Sequence, residues 1–157
     1  VQTSMRLAHT ITIDVIIPPE EDAAKLKEGL VRLLPFDIVA EKIVLHEQKA
    51  KGFNERTLLI SRITLTKERH TNDWLRWFVE KLSATQRKLL RDQMESRLDE
   101  QNHFFLRIDK NAWLDGNVII TDLGNCYHID IALAVFPSKK ENALRLVETI
   151  LKPVSEN

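Results

Sequence analysis

The amino-acid sequence predicts an α+β fold: a single domain with a mixed, mainly antiparallel sheet and helices packed on one face of it. Strand-like and helix-like segments follow one another in the order β-α-β-β-α-α-β-β-β-α. The strand-like segments alternate apolar with polar residues, which is typical of strands that bury one face. Helices cover such a face, because both kinds of element must bury an apolar side. The chain has 157 residues, the length of one domain with a core of its own.

The first strand and the first helix have the clearest patterns. Residues 9–17 place isoleucine or valine at every second position from 11 to 17, with polar residues before and among them. Pro18 and Pro19 end this strand, and three acidic residues follow, where a helix N-terminus favours negative charge. Leucines at helical spacing then predict a helix over 23–34, which Pro35 stops.

Two further strand-like segments predict a hairpin. Residues 36–48 contain a short apolar run and lead into the polar residues 49–56, which include Gly52 and suit a loop. Residues 57–66 form the returning strand. Their alternation changes phase near Ser61, which is compatible with a β-bulge there.

The middle of the chain predicts two consecutive helices. Thr71 or Asn72 is suited to cap the first helix, which runs to Leu82 with its apolar residues on one face. Ser83, followed by glutamine three residues later, has the pattern of a capping box. We therefore expect the second helix to begin at Ser83.

The last third of the chain predicts three strands and a helix. The strands are expected at 104–108, 118–121 and 127–136, and a turn composition joins the last two. Ser138 and Glu141 form a second capping-box pattern, which predicts the start of the final helix. From these boundaries we expect a single domain over 8–152, with flexible termini at 1–7 and 153–157.

Charge and cysteine content limit the classes of function. Lys+Arg and Asp+Glu are equal at 23 each, so the net charge is zero and any basic surface must be local. The single Cys126 excludes an internal disulfide framework and a cysteine-based zinc site. A lone cysteine suits a reducing compartment, so we expect a cytoplasmic protein. The longest apolar run is too short to cross a bilayer, so no membrane partner is expected.

No catalytic signature stands out in the sequence. The five histidines are scattered without metal-ligand spacing, although His46 and His128 would meet if their strands were neighbours. There is no nucleophile-elbow motif and no phosphate-binding glycine loop. Four aspartates in the last third suit turns and caps better than a magnesium site: Asp109, Asp115, Asp122 and Asp130. We therefore expect no catalytic residues, no metal site and no cofactor.

Basic residues recur in loops and at the start of the last helix, and they are the candidates for contact with RNA. They are Lys49, Lys51, Arg56, Arg107, Lys110, Lys139 and Lys140, to which we add the aromatic Phe53. Cations of this kind bind phosphates, and an aromatic ring beside them can stack on a base. Trp113 lies in the loop next to Lys110, but a tryptophan there more often anchors the loop to the core.

Several short motifs resemble those of a small archaeal family of predicted exosome subunits or RNA-binding proteins. The motifs are His-Thr-Ile at 9–11, Lys-Ala-Lys-Gly-Phe at 49–53, Phe-Leu-Arg-Ile-Asp-Lys at 105–110 with Trp113 and Gly116, and Thr-Asp at 121–122. The resemblance covers nearly the whole chain. It implies a fold similar to the ribosomal protein that binds five-S rRNA, and an association with RNA processing.

Two hypotheses from different classes follow. The first is a non-enzymatic RNA-binding or RNA-processing accessory protein, with RNA and proteins of an RNA-processing complex as partners. The second is a protein-interaction module without direct RNA contact, which the zero net charge favours. Exposure of Trp74 or Trp77 would mark a surface for such a partner. A homodimer is compatible with either hypothesis.

Overall fold

A computed structural model describes residues 5–152 of the chain. The flexible termini expected at 1–4 and 153–157 lie outside these residues. Residues 5–7, which we also expected in a flexible terminus, are hydrogen-bonded to a helix. The Asn72 amide donates to the Met5 carbonyl, and its Oδ1 accepts from the Leu7 N–H, both at 3.0 Å.

Five strands form one antiparallel sheet with the order β2-β3-β1-β5-β4. The strands are β1 (Ala8–Ile17), β2 (Leu45–Lys51), β3 (Thr57–Leu65), β4 (His103–Asp109) and β5 (Cys126–Leu133). Alternation along β1 buries Ile11, Ile13, Val15 and Ile17 and leaves the residues between them partly or fully exposed. The sheet therefore has one buried face and one open face, as the alternation predicts.

Among residues 5–152, six helices complete the fold, and the predicted α+β class is confirmed. They are α1 (Ala23–Arg32), α2 (Glu68–Lys81), α3 (Ala84–Asp92), α4 (Met94–Arg97), α5 (Lys110–Leu114) and α6 (Lys140–Leu151). None of the helices in the part of the chain that the structure describes is long and apolar enough to cross a membrane.

The chain divides into two compact units. Among the described residues, the first unit comprises 5–11, 65–105 and 130–152. In it, α2, α3 and α4 each pack against α6. Its buried aromatic pair is Trp74 and Phe78, whose rings stack with centroids 4.7 Å apart.

The second unit comprises residues 12–64 and 106–129. In it, α1 packs against the short helix α5. Two buried hydrogen bonds reach α1, from Trp113 Nε1 to the Gly29 carbonyl and from the Tyr127 hydroxyl to the Leu26 carbonyl, both at 2.8 Å. Trp113 thus anchors its loop to the core, as we expected from sequence.

The hairpin differs from its predicted outline. Strand β2 continues to Lys51, so Lys49 and Lys51 belong to a strand and the loop shortens to 52–56. The register of β2 with β3 is continuous through Ser61, whose partner is Glu47, so this ladder contains no bulge. The expected strand at 118–121 contributes a single bridge, from Ile120 to Ile108, rather than a ladder.

Of the three helix starts that were predicted from capping residues, two are wrong, because tertiary contacts take the capping side chains. Helix α2 begins before Thr71 and Asn72, and both of these side chains are buried. Ser138 does not cap α6, since its Oγ accepts a hydrogen bond from the Asn102 amide at 2.8 Å. Ser83 does cap α3 and accepts from the Gln86 N–H at 3.1 Å, as predicted.

Candidate nucleic-acid interface

The tip of the β2–β3 hairpin brings together three of the predicted contact residues. Lys49 and Lys51 are exposed on β2 and lie two positions apart, so they point to the same face of the sheet. Neither forms an ion pair with a described residue. Phe53 follows them with 89% of its surface exposed. Two cations and one aromatic ring are therefore accessible within five residues of chain.

The backbone of the hairpin turn is tight. The Gly52 N–H donates to the Arg56 carbonyl at 2.7 Å, and Asn54 and Glu55 both have left-handed backbone angles, with φ of 59° and 58°. A Cβ atom at Gly52 would lie 2.7 Å from a Leu58 methyl group, so glycine suits this position. The turn therefore holds the backbone of Phe53 in a defined conformation, although the ring itself is exposed.

Arg56, at the end of the turn, is already paired. Its guanidinium forms an exposed ion pair with Glu20, and this hydrogen-bonded cation holds the pKa of the Glu20 carboxyl below its ordinary value. The arginine charge is therefore partly offset before any ligand arrives. Because Arg56 and Glu20 are both exposed, a phosphate can replace the Glu20 carboxylate as the partner of the arginine.

Arg107 lies on the opposite edge strand from the hairpin. Strands β2 and β4 are the two ends of the sheet. The Arg107 side chain is exposed, and its Nη1 donates to the Asp122 carbonyl at 3.1 Å. The predicted basic surface is therefore spread over separate places rather than gathered on one.

Lys110 is unsuited to contact RNA, because its side chain is only 4% exposed. Its Nζ donates to the Ile16 carbonyl at 3.0 Å and to Glu21 Oε1 at 3.1 Å. Both contacts lie within the second unit. This lysine holds the end of β1 and the segment after it, and its charge is compensated internally.

Lys139 and Lys140 belong to the first unit, at the start of α6. Both are exposed, and neither pairs with an acid among residues 5–152. They are followed by the exposed Glu141. Among the predicted contact residues, the exposed lysines thus fall into two groups, one in each unit.

Two of the aspartates that were considered for a metal site form structural hydrogen bonds. Asp109 caps α5, accepting from the Ala112 N–H at 2.9 Å, and Asp130 bonds His103 Nδ1 at 2.7 Å. Across residues 5–152, no group of three or more metal-ligating side chains is arranged to hold an ion. Burial raises the pKa of the Cys126 thiol, which disfavours the reactive thiolate.

His46 and His128 are not on neighbouring strands, so the condition under which they would meet is not fulfilled. Strands β3 and β1 lie between β2 and β5. His46 is opposite Arg62, Arg62 pairs with Asp14 at 3.2 Å, and His128 Nδ1 lies 4.0 Å from Asp14. These four residues form a row of ionisable side chains across the open face.

The two tryptophans of α2 give no support to an exposed partner surface. Trp74 is fully buried, and Trp77 is half-buried with the Lys81 ammonium 4.8 Å from the centre of its ring. The most exposed large apolar side chain among the described residues is instead Phe136, at 97%. Sequence reasoning placed Phe136 at the end of a strand. The signal that marks it is a proline directly after it and two lysines three and four positions on.

Comparison with known proteins gives concordant results. A family model described as RNA binding matches residues 10–135. A protein of Pyrococcus abyssi named RNA-binding protein PAB1135 is 28% identical over 145 residues, which cover 92% of this chain and 94% of that protein. Two solved structures share the fold. A protein from Methanothermobacter thermautotrophicus has 25% identity and a TM-score of 0.76, over 93% of this chain and 99% of that one. A protein from Archaeoglobus fulgidus has 24% identity and a TM-score of 0.81, over 91% and 99%.

Proposed function

The chain belongs to the RNA-binding family, and from that membership we propose that it binds RNA through the tip of the β2–β3 hairpin. In this proposal it is a non-catalytic accessory protein of RNA processing. The observation that carries the site is the exposure of Phe53 beside Lys49 and Lys51 on a tight turn. No other contact residue that we predicted from sequence is an exposed aromatic ring.

Each residue of the hairpin has a distinct role in the proposed contact. Lys49 and Lys51 bind phosphate oxygens and supply affinity without sequence preference. Phe53 stacks on an unpaired base, a contact worth about 1–3 kcal/mol in single-strand binders. Arg56 adds a third cation when a phosphate replaces Glu20. Lys110 is left out of the contact surface, because its ammonium is buried against Glu21.

The remaining predicted residues belong to the proposal as outlying contacts. Arg107 would bind backbone phosphates from the other edge of the sheet, and Lys139 with Lys140 would do so from α6. We further propose an association with the exosome, in the cytoplasm, with proteins of that complex as partners; the family resemblance of the motif at 105–110 supports the exosome association. Co-purification from an archaeal host that produces the tagged chain at native level tests this association. Recovery of exosome proteins that survives ribonuclease treatment is the result expected.

Fluorescence anisotropy with labelled single-stranded RNA at low salt tests the hairpin. We expect Phe53→Ala to weaken binding by about tenfold or more, and the double variant Lys49→Gln with Lys51→Gln to weaken it by a similar factor. Matched controls are Val39→Ala, which removes an apolar side chain of 83% exposure, and Lys25→Gln with Lys88→Gln, which removes two exposed charges elsewhere. Lack of binding by the unaltered chain at tens of micromolar would refute direct RNA contact.

A further inference from the structure

We infer that Phe136, together with Lys139 and Lys140, forms a second contact for unpaired RNA, separate from the hairpin. The inference rests on the proposed function, since it takes the chain to bind RNA. Phe136 follows β5 in the first unit and is 97% exposed. Phenylalanine is among the residue types most often buried in folded domains, so a ring that touches almost nothing is unusual.

Hydrogen bonds hold the backbone on both sides of Phe136, so a loosely held loop does not explain the exposure of its ring. Before it, the Ala134 N–H donates to the Leu7 carbonyl at 3.0 Å. After it, the buried Asn102 amide donates to Ser138 Oγ at 2.8 Å, and the Asn142 amide donates to the Pro137 carbonyl at 2.9 Å. The ring is thus presented outward from a fixed segment.

The chemistry around this ring repeats that of the hairpin. Lys139 and Lys140 follow within four residues, both exposed and neither in an ion pair with a described residue. The hairpin places two exposed lysines within four residues of Phe53 in the same way. A ring beside two cations suits a base that stacks and a backbone that carries phosphates. The bases of a duplex are already stacked on one another, so the class of ligand is single-stranded RNA.

A protein partner fits this surface less well than RNA does. Stable protein interfaces bury about 800 Å² on each partner, and one ring with two lysines is far smaller than that. A single base needs only one ring to stack on. The apolar part of the surface is therefore matched to a nucleotide.

Three substitutions at one position separate stacking from apolar contact. The probe is a fluorescein-labelled oligouridylate, with a duplex RNA of the same length for comparison. We expect Phe136→Ala to weaken binding to the single strand by about tenfold, Phe136→Leu to weaken it equally, and Phe136→Trp to restore it. Duplex binding should be unchanged by all three. The apolar control is Leu123→Ala, which is 69% exposed and has no lysine beside it in sequence.

Photocrosslinking supplies a readout that does not depend on affinity. Oligouridylate that carries 5-iodouridine is irradiated with the full chain, and the adducts are mapped by mass spectrometry after trypsin digestion. We expect adducts at Phe53 and at Phe136, and loss of the second when Lys139 and Lys140 are both changed to glutamine. Unchanged thermal unfolding of each variant shows that the fold is intact.

The outcomes distinguish this inference from the proposed function. If the hairpin variants weaken binding and the Phe136 variants do not, the second contact is refuted and the hairpin stands. If only the variants at Phe136, Lys139 and Lys140 weaken binding, the second contact stands and the hairpin fails. Wild-type affinity in Phe136→Leu, or an absence of crosslinks at Phe136, would also overturn the second contact. Absence of any RNA binding by the unaltered chain refutes both.

Discussion

At the scale of single residues, identical side chains have different roles because of where the backbone directs them. Lys49 and Lys110 were equal candidates for RNA contact in the sequence. The first is exposed, whereas the second is buried and bound to a carboxylate. The burial of Lys110 depends on Ile16 and Glu21, which are about ninety positions away in sequence. No local pattern contains that information.

Tyr127 is the residue whose environment has the clearest measurable effect. Its hydroxyl is fully buried and donates to the Leu26 carbonyl, and burial raises its pKa well above the ordinary value near 10. The unfolded chain ionises first as pH rises, so the folded state holds the extra proton. The free energy of unfolding should therefore fall above pH 10, by up to about 1.4 kcal/mol per pH unit. Below pH 10 the stabilisation that is linked to the raised pKa of Tyr127 is fully present.

Urea unfolding between pH 8 and pH 11 measures this dependence, and Tyr127→Phe is the reference. The variant should lose about 1–2 kcal/mol at neutral pH, because the buried hydrogen bond from the Tyr127 hydroxyl to the Leu26 carbonyl is lost. Its stability should then fall less steeply above pH 10. Tyr127 is the only tyrosine, so the absorbance of tyrosinate reports on this group alone. Ionisation near pH 10 with the fold intact would contradict the prediction.

At the scale of elements, α1 contains an apparent weakness that its neighbours explain. Gly29 lies in the middle of the helix, where glycine costs about 1 kcal/mol relative to alanine. A Cβ atom there would lie 2.3 Å from the Tyr127 hydroxyl oxygen and 2.9 Å from a Leu114 methyl group. The Gly29 carbonyl also accepts the hydrogen bond of Trp113. Glycine is required by the close approach of α5 and β5.

Gly29→Ala should therefore destabilise the protein despite the better helix propensity of alanine. We expect a loss of about 1–3 kcal/mol in the free energy of unfolding, because the clash forces Tyr127 to move. Urea denaturation measures this loss. Gly124→Ala is the matched control, since nothing lies within 4 Å of its Cβ position, and its stability should be unchanged or slightly raised. A gain of stability in Gly29→Ala would mean that the contact relaxes freely.

The elements that sequence patterns predicted well are those whose signals are local. Alternation in β1 and the cap at Ser83 needed no information from elsewhere in the chain. The starts of α2 and α6 were misplaced because Asn72 and Ser138 make hydrogen bonds with residues far away in sequence. Gly52 predicted the position of the hairpin turn. The sequence did not predict the length of the turn, because the polar residues of the edge strand β2 resemble those of a loop.

At the scale of the whole molecule, zero net charge means that the proposed RNA affinity must come from local groups of lysines. The 23 acidic residues offset the 23 basic ones over the chain, but Lys49 and Lys51 are exposed, and the nearby Glu47 is paired with Lys27. Composition alone lowered the expectation of RNA binding. The family match and the exposed hairpin lysines nevertheless support the proposed RNA contact. A phosphate responds to nearby charges, because salt screens the more distant ones.

Salt dependence counts these local contacts. For single-stranded nucleic acid, the logarithm of the binding constant falls with the logarithm of salt concentration by about 0.7 for each phosphate neutralised. The double variant Lys49→Gln with Lys51→Gln should therefore flatten the slope by about 1.4. Anisotropy titrations over a range of potassium chloride concentrations measure it. The control Lys25→Gln with Lys88→Gln should keep the wild-type slope, and an equal change in both would refute a local site.

The edge position of β2 has a consequence for the stability of this protein in solution. An edge strand carries backbone groups without a partner strand, which is a template for aggregation, and charged side chains are a usual protection. Here the protective charges include Lys49 and Lys51, the residues proposed to bind phosphate. The proposed RNA contact and the protection against intermolecular β-pairing therefore depend on the same two side chains. Neutral substitutions there should raise the tendency to aggregate, whereas arginine should satisfy both demands.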